Sequence, residues 1–209
     1  MKRAILYRTL SLYSSGSRNY HDVTTITHKQ LGNTEHLVPS ELYRHVNALV
    51  SDFAAEYGEV DLVSRRVECS FDEYGGLLDA FDSFGVVGGA GIRIVRDGCV
   101  LLVQYEHVDG WIDPGSGRRP GESYAECAKR GVRRATGVEA AIDGLAQIQI
   151  VYLDDPTDRP PAPNPYISFS GSLASDDVAP GEPITALQWA EEAPEELADQ
   201  ELSELPLAR

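Results

Sequence analysis

The sequence predicts an α/β protein, an α/β/α sandwich with a mixed β-sheet, preceded by a helical N-terminal extension. Three observations carry this prediction. From about residue 85 onward, short β-rich runs alternate with helical stretches, which is typical of an α/β fold. Loops rich in glycine and proline separate these runs. Hydrophobic residues make up 42% of the 209 residues, which is enough to form a core.

The first 39 residues are predicted to form a loose tail, because they show no sustained apolar period. They carry a net charge of +3, whereas the remaining residues carry −18. A functional basic arm is the alternative interpretation of this segment. We expect the helical extension to cover residues 40–83 and the main domain to cover residues 84–209.

Within the extension, Pro39 and Ser40 predict the start of a helix, with Ser40 as its N-cap. Apolar residues follow at helical spacing, and Gly58 predicts the end of this helix. A second, less regular helical stretch is predicted over about 60–83, and it is interrupted at Gly75 and Gly76.

In the main domain, the runs 86–95 and 100–105 predict a β-hairpin around the turn Asp97-Gly98. A Gly/Pro-rich loop at 112–121 precedes a predicted helix over 122–135, which Gly137 ends. The further expected elements are strands over 145–152, 166–172 and 184–189, a proline-rich loop over 156–165, and an acidic C-terminal helix from 191 to 197 and beyond.

The charge balance is strongly acidic, with 33 Asp and Glu against 18 Lys and Arg and a net charge of −15. Only Lys2, Lys29 and Lys129 are lysines. This excludes general nucleic-acid binding, which needs a basic surface. The composition resembles that of salt-adapted proteins from halophilic archaea, in which carboxylates keep the chain hydrated. The acidic composition therefore indicates adaptation to a salt-rich solvent more than a particular function.

Cellular location and cysteine chemistry are constrained by what the sequence lacks. Cys69, Cys99 and Cys127 are far apart and form no CxxC pair, so we expect neither a zinc site nor a disulfide framework. No apolar run approaches the roughly 18 residues of a membrane span. The apolar stretch near the N-terminus is too short for a signal peptide and is broken by Arg8. We therefore expect a cytoplasmic protein without a membrane partner, and its oligomeric state stays open.

One motif carries chemistry. Residues 114–138 read PGSGRRPGESYAECAKRGVRRATGV. They resemble the box of the Nudix hydrolase family, G-x5-E-x7-R-E-U-x-E-E-x-G-U, with U aliphatic. Glu122 falls on the first glutamate, Arg130 on the arginine, and Gly137 on the last glycine, while Ser116 replaces the first glycine. The resemblance covers roughly 85–200 and implies a Nudix-like sandwich. It also implies a relation to enzymes that hydrolyse a nucleoside diphosphate linked to another group.

The departures from this motif concern its metal ligands. Gly131, Arg134 and Ala135 stand where the family has glutamates that hold Mg²⁺ or Mn²⁺. Such cations neutralise phosphates and activate water. Arg134 would place a positive charge where the cation should be bound. We therefore predict that the degenerate box at 116–138 holds no metal and that no cofactor is needed.

The remnant box positions Glu122, Glu126 and Arg130 leave the catalytic residues unknown. With Arg134 they follow at intervals of four, which predicts a salt-bridged ladder along one helix face that includes a Glu126–Arg130 pair. In a more specific hypothesis, Arg134 binds phosphate directly in place of the metal, together with Arg118 or Arg119 in the loop. Trp111 either stacks on a base or packs at the start of the loop. Acids or bases outside the box that might supply catalysis are Glu106, His107, Asp154, Asp155 and Asp158.

Three functions follow from these observations. The first is a weak or inactive hydrolase that binds a small-molecule nucleotide or phosphate metabolite. The second is an active Mg²⁺- or Mn²⁺-dependent hydrolase that uses acidic residues outside the box. The third is a structural or protein-interaction domain. The missing glutamates favour the first and third, and the loop arginines favour the first over the third.

Overall fold

The computed structural model describes residues 37–198, apart from residues 107, 156, 158 and 182, and it describes side chains from residue 40 onward. The predicted tail therefore lies outside the described residues up to position 36. The helices are α1 (Leu37–Tyr57), α2 (Phe71–Phe84) and α3 (Tyr124–Thr136). The strands are β1 (Leu62–Glu68), β2 (Gly89–Arg96), β3 (Cys99–Tyr105), β4 (Gly115–Gly117), β5 (Ala140–Asp154), β6 (Ala162–Leu173) and β7 (Ile184–Ala190).

The strands form one mixed sheet in the order β1-β5-β6-β2-β3-β7, and the short strand β4 pairs with β2. The pairs β1–β5 and β2–β6 are parallel, whereas the other pairs are antiparallel. Helices flank this sheet, so the predicted α/β class with a mixed sheet is confirmed. The predicted hairpin is confirmed as well. Asp97 and Gly98 turn it with φ of 51° and 83°, as a tight two-residue hairpin turn requires.

The three helices share one hydrophobic core with the long strands. Phe53 of α1 is half-buried and packs against this core, and its ring lies 5.9 Å from that of Phe169 on β6 and 6.2 Å from that of Tyr124 on α3. Leu42, Tyr74, Ile92, Ile148, Ile167 and Val132 are fully buried members of this core. The box helix α3 and the N-terminal helices therefore pack on the same hydrophobic layer.

The first helix begins earlier than predicted. It already includes Leu37, so Ser40 lies inside the helix and is not its N-cap. The predicted end is confirmed, since Gly58 has φ of 86° and its N–H donates to the carbonyl of Ala54 at 3.0 Å. Among the described residues, no helix is both long and apolar enough to cross a membrane.

The helix predicted over 60–83 is wrong for its first part, because residues 62–68 form strand β1. This strand pairs in parallel with β5, from Leu62 opposite Ile148 to Glu68 opposite Asp154. Helix α2 follows, and Gly75 and Gly76 do not interrupt it. A reciprocal capping box between Ser70 and Glu73 fixes its start, and Gly85 ends it with φ of 60°. These two caps offset the weak helix propensity of the glycine pair.

The acidic helix predicted from residue 191 is absent over 191–198, which is as far as the described chain extends. The backbone of this segment instead pairs with the loop before the box. The Trp111 N–H donates to the Glu196 carbonyl at 2.8 Å, and the Ala198 N–H donates to the Trp111 carbonyl at 3.0 Å. Long-range backbone pairing has therefore overridden local helix propensity here.

Candidate functional site

The box helix starts two residues later than predicted. Ser123 is its N-cap, and the Glu126 carboxylate accepts hydrogen bonds from the Ser123 N–H and hydroxyl, both at 2.8 Å. Gly137 ends the helix with φ of 75°. Glu122 thus precedes the helix, and Glu126 is used as a cap. The predicted ladder with a Glu126–Arg130 pair is therefore wrong.

Arg130 instead connects the helix to the loop before it. Its Nε lies 2.5 Å from Oε1 of Glu122, and its Nη2 donates to Oε2 of Glu122 at 2.7 Å and to the Gly117 carbonyl at 2.8 Å. The two side chains are only 12% and 13% exposed. Burial raises the pKa of Glu122, but hydrogen bonds from Arg130 and from the Arg119 N–H outweigh it and lower that pKa. The pair therefore holds the shape of the loop.

At one point of contact, the helix approaches this loop through a glycine. A Cβ on Gly131 would lie 2.5 Å from the carbonyl carbon of Gly115, 2.7 Å from its Cα and 2.8 Å from its oxygen. A Cβ on Gly115 would in turn lie 2.9 Å from Cα of Gly91 on β2. The backbones of α3, β4 and β2 thus pack against one another without intervening side chains. Position 131, where the Nudix motif has a glutamate, therefore has no room for a carboxylate side chain.

Tyr105 closes the same loop from β3. Its hydroxyl donates to the Gly115 carbonyl at 2.6 Å and accepts from the Gly115 N–H at 2.9 Å. Burial raises the pKa of Tyr105 to about 12, although the Gly115 hydrogen bond and the charge of Arg134 oppose this rise. The positive charge of Arg134 therefore acts on the Tyr105 hydroxyl and favours its ionised form.

Positions 134 and 135, where the Nudix motif has its other two glutamates, are equally unsuited to a cation. Ala135 is 1% exposed and packs with Val103, Tyr105 and Ile112 in a hydrophobic cluster. Arg134 is half-buried and positively charged. In the described part of the chain, no group of three or more His, Cys, Asp or Glu side chains is placed to hold a metal ion. The residues at the box therefore do not fit Mg²⁺ or Mn²⁺, which need several oxygen ligands.

The other predicted binding residues differ in their surroundings. Arg118 donates from Nε to the Glu122 carbonyl at 2.8 Å and from Nη2 to the Gly85 carbonyl at 3.4 Å, and its guanidinium lies 4.9 Å from the Tyr124 ring centroid. Its charge is thereby held against protein groups. The Arg119 side chain is exposed on the loop. Trp111 packs against the cluster of Val100, Leu102 and Ala190, together with Leu197.

The acids that might have supplied catalysis have partners away from the box. Asp155 pairs with Arg159, and although burial raises its pKa, hydrogen bonds from Arg159 and Thr157 lower it to about 2. Asp154 lies 3.7 Å from Arg66 of β1, and burial raises its pKa. Glu106 is exposed. His107 and Asp158 lie outside the described residues.

Sequence reasoning missed one charged pair beside the loop. Arg93 of β2 and Asp113, which precedes Pro114, are 8% and 2% exposed, and both Nε and Nη2 of Arg93 lie 3.1 Å from Oδ2 of Asp113. A signal for it was present, because Arg93 interrupts an apolar strand between Ile92 and Ile94. A buried arginine of this kind needs an acidic partner.

No family model matches this sequence, and no curated protein matches it. Solved structures similar to it include a Nudix hydrolase from Nitrosomonas europaea (16% identity, 50% of this chain, TM-score 0.38). That match spans 56% of the Nitrosomonas chain. A UDP-X diphosphatase is similar with 19% identity and a TM-score of 0.42, and the match covers 72% of this chain and 68% of that one. An ADP-ribose pyrophosphatase from Streptococcus suis 89-1591 is similar with 16% identity and a TM-score of 0.44, and the match covers 58% of this chain and 89% of that one. Likenesses this distant say nothing about the activity of this chain.

Proposed function

We propose that this chain is a Nudix-type protein without metal-dependent hydrolysis, which binds a nucleotide or related phosphate metabolite beside the box loop. The observation that carries the proposal is the contact between Gly131 and Gly115. Because the Gly131 Cβ position overlaps the Gly115 backbone, an acidic side chain at 131 would separate the helix from the loop. The box therefore cannot hold the set of carboxylates that the Nudix motif usually contains.

Arg134 is our candidate for the phosphate-binding residue. It is the one former ligand position that keeps a long, polar and partly accessible side chain, since Gly131 and Ala135 are buried. A guanidinium presents two parallel N–H groups that match phosphate oxygens. Arg119 is exposed on the adjoining loop and can add a second contact. We assign Arg118 a structural role, because it already donates to two backbone carbonyls and stacks on Tyr124.

The proposal is tested by thermal-shift and phosphate-release measurements with pyrophosphate, nucleoside diphosphates and nucleotide sugars. They are run in molar KCl, since we interpret the acidic composition as salt adaptation, and each is repeated with Mg²⁺ or Mn²⁺. We expect metal-independent stabilisation that is lost in Arg134→Ala. Lys129→Ala is the matched control, because Lys129 is an exposed cation on the same helix.

The alternatives give different outcomes in the same experiment. Metal-dependent turnover at ordinary enzyme rates would overturn the proposal in favour of a hydrolase that uses acids outside the box. An equal loss of stabilisation in Arg134→Ala and Lys129→Ala would reduce the interaction to nonspecific charge. If no compound shifts the melting temperature, a structural or protein-interaction domain is the better description.

A further inference from the structure

The box loop lies between two neighbouring strands of the sheet. Strands β2 and β3 pair directly at the two positions next to their turn, and beyond these the loop runs between them. Its strand β4 pairs with β2, and Ile112 exchanges backbone hydrogen bonds of 2.9 Å and 3.0 Å with Val103 of β3. The paired residues of β2 and β4 are four glycines, one alanine and one serine. Strands so rich in glycine specify their register weakly, because they have few side chains to place.

Several contacts that hold the loop reach its backbone. The Tyr105 hydroxyl bonds to the N–H and the carbonyl of Gly115. Nη2 of Arg130 donates to the Gly117 carbonyl at 2.8 Å. Every residue other than proline carries the same backbone groups, so a loop displaced along β2 would offer equivalent partners. The Ser116 hydroxyl donates to a backbone carbonyl of α3 at 2.9 Å, so it connects the loop to the helix rather than to β2.

Arg93 and Asp113 connect the loop to β2 through side chains. Continued by two positions, the register in which Gly91 lies opposite Gly115 places Arg93 directly opposite Asp113. Nε and Nη2 of Arg93 both lie 3.1 Å from Oδ2 of Asp113, and both side chains are buried. Asp113 is the only acidic residue of the loop at 112–121. A displacement of one residue would put a proline or an isoleucine opposite Arg93 and leave its charge buried without an acid.

Stability alone does not explain such a pair. The desolvation of two charges offsets their mutual attraction, so apolar side chains of similar size stabilise a core equally well or better. A buried ion pair can instead specify one arrangement among several, and a Gly-Ser-Gly strand offers several. We propose that Arg93 and Asp113 are positioning residues that set the register of the box loop on β2. Their effect on ligand binding, through the position of Arg119 on the same loop, rests on the proposed function.

The test replaces both partners in Arg93→Met/Asp113→Leu, the apolar variant. We expect it to melt within about 4 °C of wild type, because it buries no unpaired charge. Asp113→Leu alone should melt at least about 6 °C below wild type, since it leaves the Arg93 charge buried without its partner. This comparison separates the stability of the fold from the register of the loop.

Nuclear magnetic resonance of 15N-labelled protein then measures the register. Wild type should give one set of amide signals for residues 115–117. It should also show a contact between the Hα atoms of Gly91 and Gly115, which form a non-hydrogen-bonded pair because the adjacent Ile92 N–H donates to the Pro114 carbonyl. The apolar variant should give additional sets of these signals and a weaker Hα contact, since its loop can adopt more than one register.

Two control variants isolate the charge and the strand. Both nitrogens of Arg93 bond to the same carboxylate oxygen, so one ammonium can replace them, and Arg93→Lys should keep a single set of signals. Arg96→Met/Asp176→Leu removes an ion pair of the same strand in which Asp176 is 82% exposed, and it should leave the signals unchanged. Calorimetric titration should show at least about tenfold weaker pyrophosphate binding by the apolar variant and wild-type affinity in both controls.

Three results would overturn this inference. A single set of signals in the apolar variant, with the Hα contact kept, would show that the other contacts fix the register by themselves. Additional sets in Arg93→Lys would show that the charge does not select it. An apolar variant as unstable as Asp113→Leu would make the pair a contribution to stability. Absence of pyrophosphate binding by wild type would overturn the proposed phosphate site instead, and the amide signals would still decide the register.

Discussion

Replacing Gly131 by alanine adds one methyl group at the contact on which the proposed loss of metal binding depends. The added Cβ would lie 2.5–2.8 Å from three backbone atoms of Gly115, inside the closest approach that real Cβ atoms adopt. A flexible side chain could rotate away, but the Gly115 backbone is held by Tyr105 and by the pairing of β4 with β2. The helix must therefore move away from the loop.

Two opposing terms set the size of the effect. Alanine in place of glycine inside a helix stabilises a protein by about 1 kcal/mol. Overpacking a close contact costs about 1–3 kcal/mol, and a contact between two backbones lies at the upper end of that range. We expect a net loss of about 2 kcal/mol for Gly131→Ala. For a chain of this length, this corresponds to a fall in melting temperature of about 4–8 °C.

The matched control is Gly76→Ala in α2, where a Cβ would meet nothing within 4 Å. It should gain the helix-propensity term alone and raise the free energy of unfolding by about 1 kcal/mol. Both variants are measured by urea denaturation followed by circular dichroism in molar KCl. A rise in stability of Gly131→Ala comparable to that of Gly76→Ala would refute the packing argument and reopen position 131 to a carboxylate.

The same contact decides whether the box can be repaired. Combining Gly131→Glu, Arg134→Glu and Ala135→Glu would introduce two acids at buried positions, one of them against the Gly115 backbone. We expect this variant to unfold or to lack Mg²⁺-dependent pyrophosphate hydrolysis. Arg134→Glu alone should fold, because that side chain is only half-buried. Metal-dependent hydrolysis by the folded triple variant would show that the scaffold had lost nothing but its ligands.

Two further substitutions test the contacts that hold the box loop, and a third tests an ion pair away from it. Glu122→Gln should lower the free energy of unfolding by about 3 kcal/mol at pH 7, because it leaves Arg130 without its carboxylate. The folded-state pKa of Glu122 is lowered, so this difference from wild type is present above pH 4.5 and disappears as the pH falls through the lowered pKa. Urea denaturation at several pH values would measure it. Tyr105→Phe should cost about 2 kcal/mol by leaving the Gly115 N–H and carbonyl without that hydroxyl. Since the pKa of Tyr105 is raised from 10.0 to about 12, wild type should lose this contribution as the pH rises through that interval, whereas the Phe variant should not, and alkaline melting curves would measure it. Asp155→Asn should be less stable than wild type above pH 3.8 and converge with it near pH 2, because the pKa of Asp155 is lowered to about 2, and acid denaturation tests this directly.

Elements with a local signal could be predicted, whereas elements that depend on distant partners could not. The Asp97-Gly98 turn is specified by its own two residues. The S-x-x-E pattern at Ser123 and Glu126 is a capping-box signal, and it indicates where the box helix starts. Strand β1 lacks such a signal, since LVSRRVE becomes a strand only by pairing with β5, more than 80 residues later. The segment after β7 likewise adopts its conformation by backbone hydrogen bonds to Trp111, so its helix propensity predicted the wrong structure.

The site was predictable to the same extent. The motif located the loop and helix by spacing alone, but it could not show that Arg118 and Arg130 are engaged by backbone carbonyls. It could not pair Arg93 with Asp113 either, because 20 residues separate them. The buried side-chain amide of Asn164 has no hydrogen-bond partner in the described part of the chain. This depends on three-dimensional packing, and the two prolines that flank Asn164 in the sequence do not indicate it.

The three replaced positions of the box are not equivalent, and this difference favours a binding function. Gly131 and Ala135 are buried, and each small residue is explained by packing, against Gly115 and against the cluster around Tyr105. Arg134 is half-buried, and such a position on a helix tolerates many side chains. A cation there is electrostatically coupled to Tyr105, next to the loop that the helix holds. Packing thus accounts for the two small residues, while under the proposed function an anionic ligand gives the arginine a role.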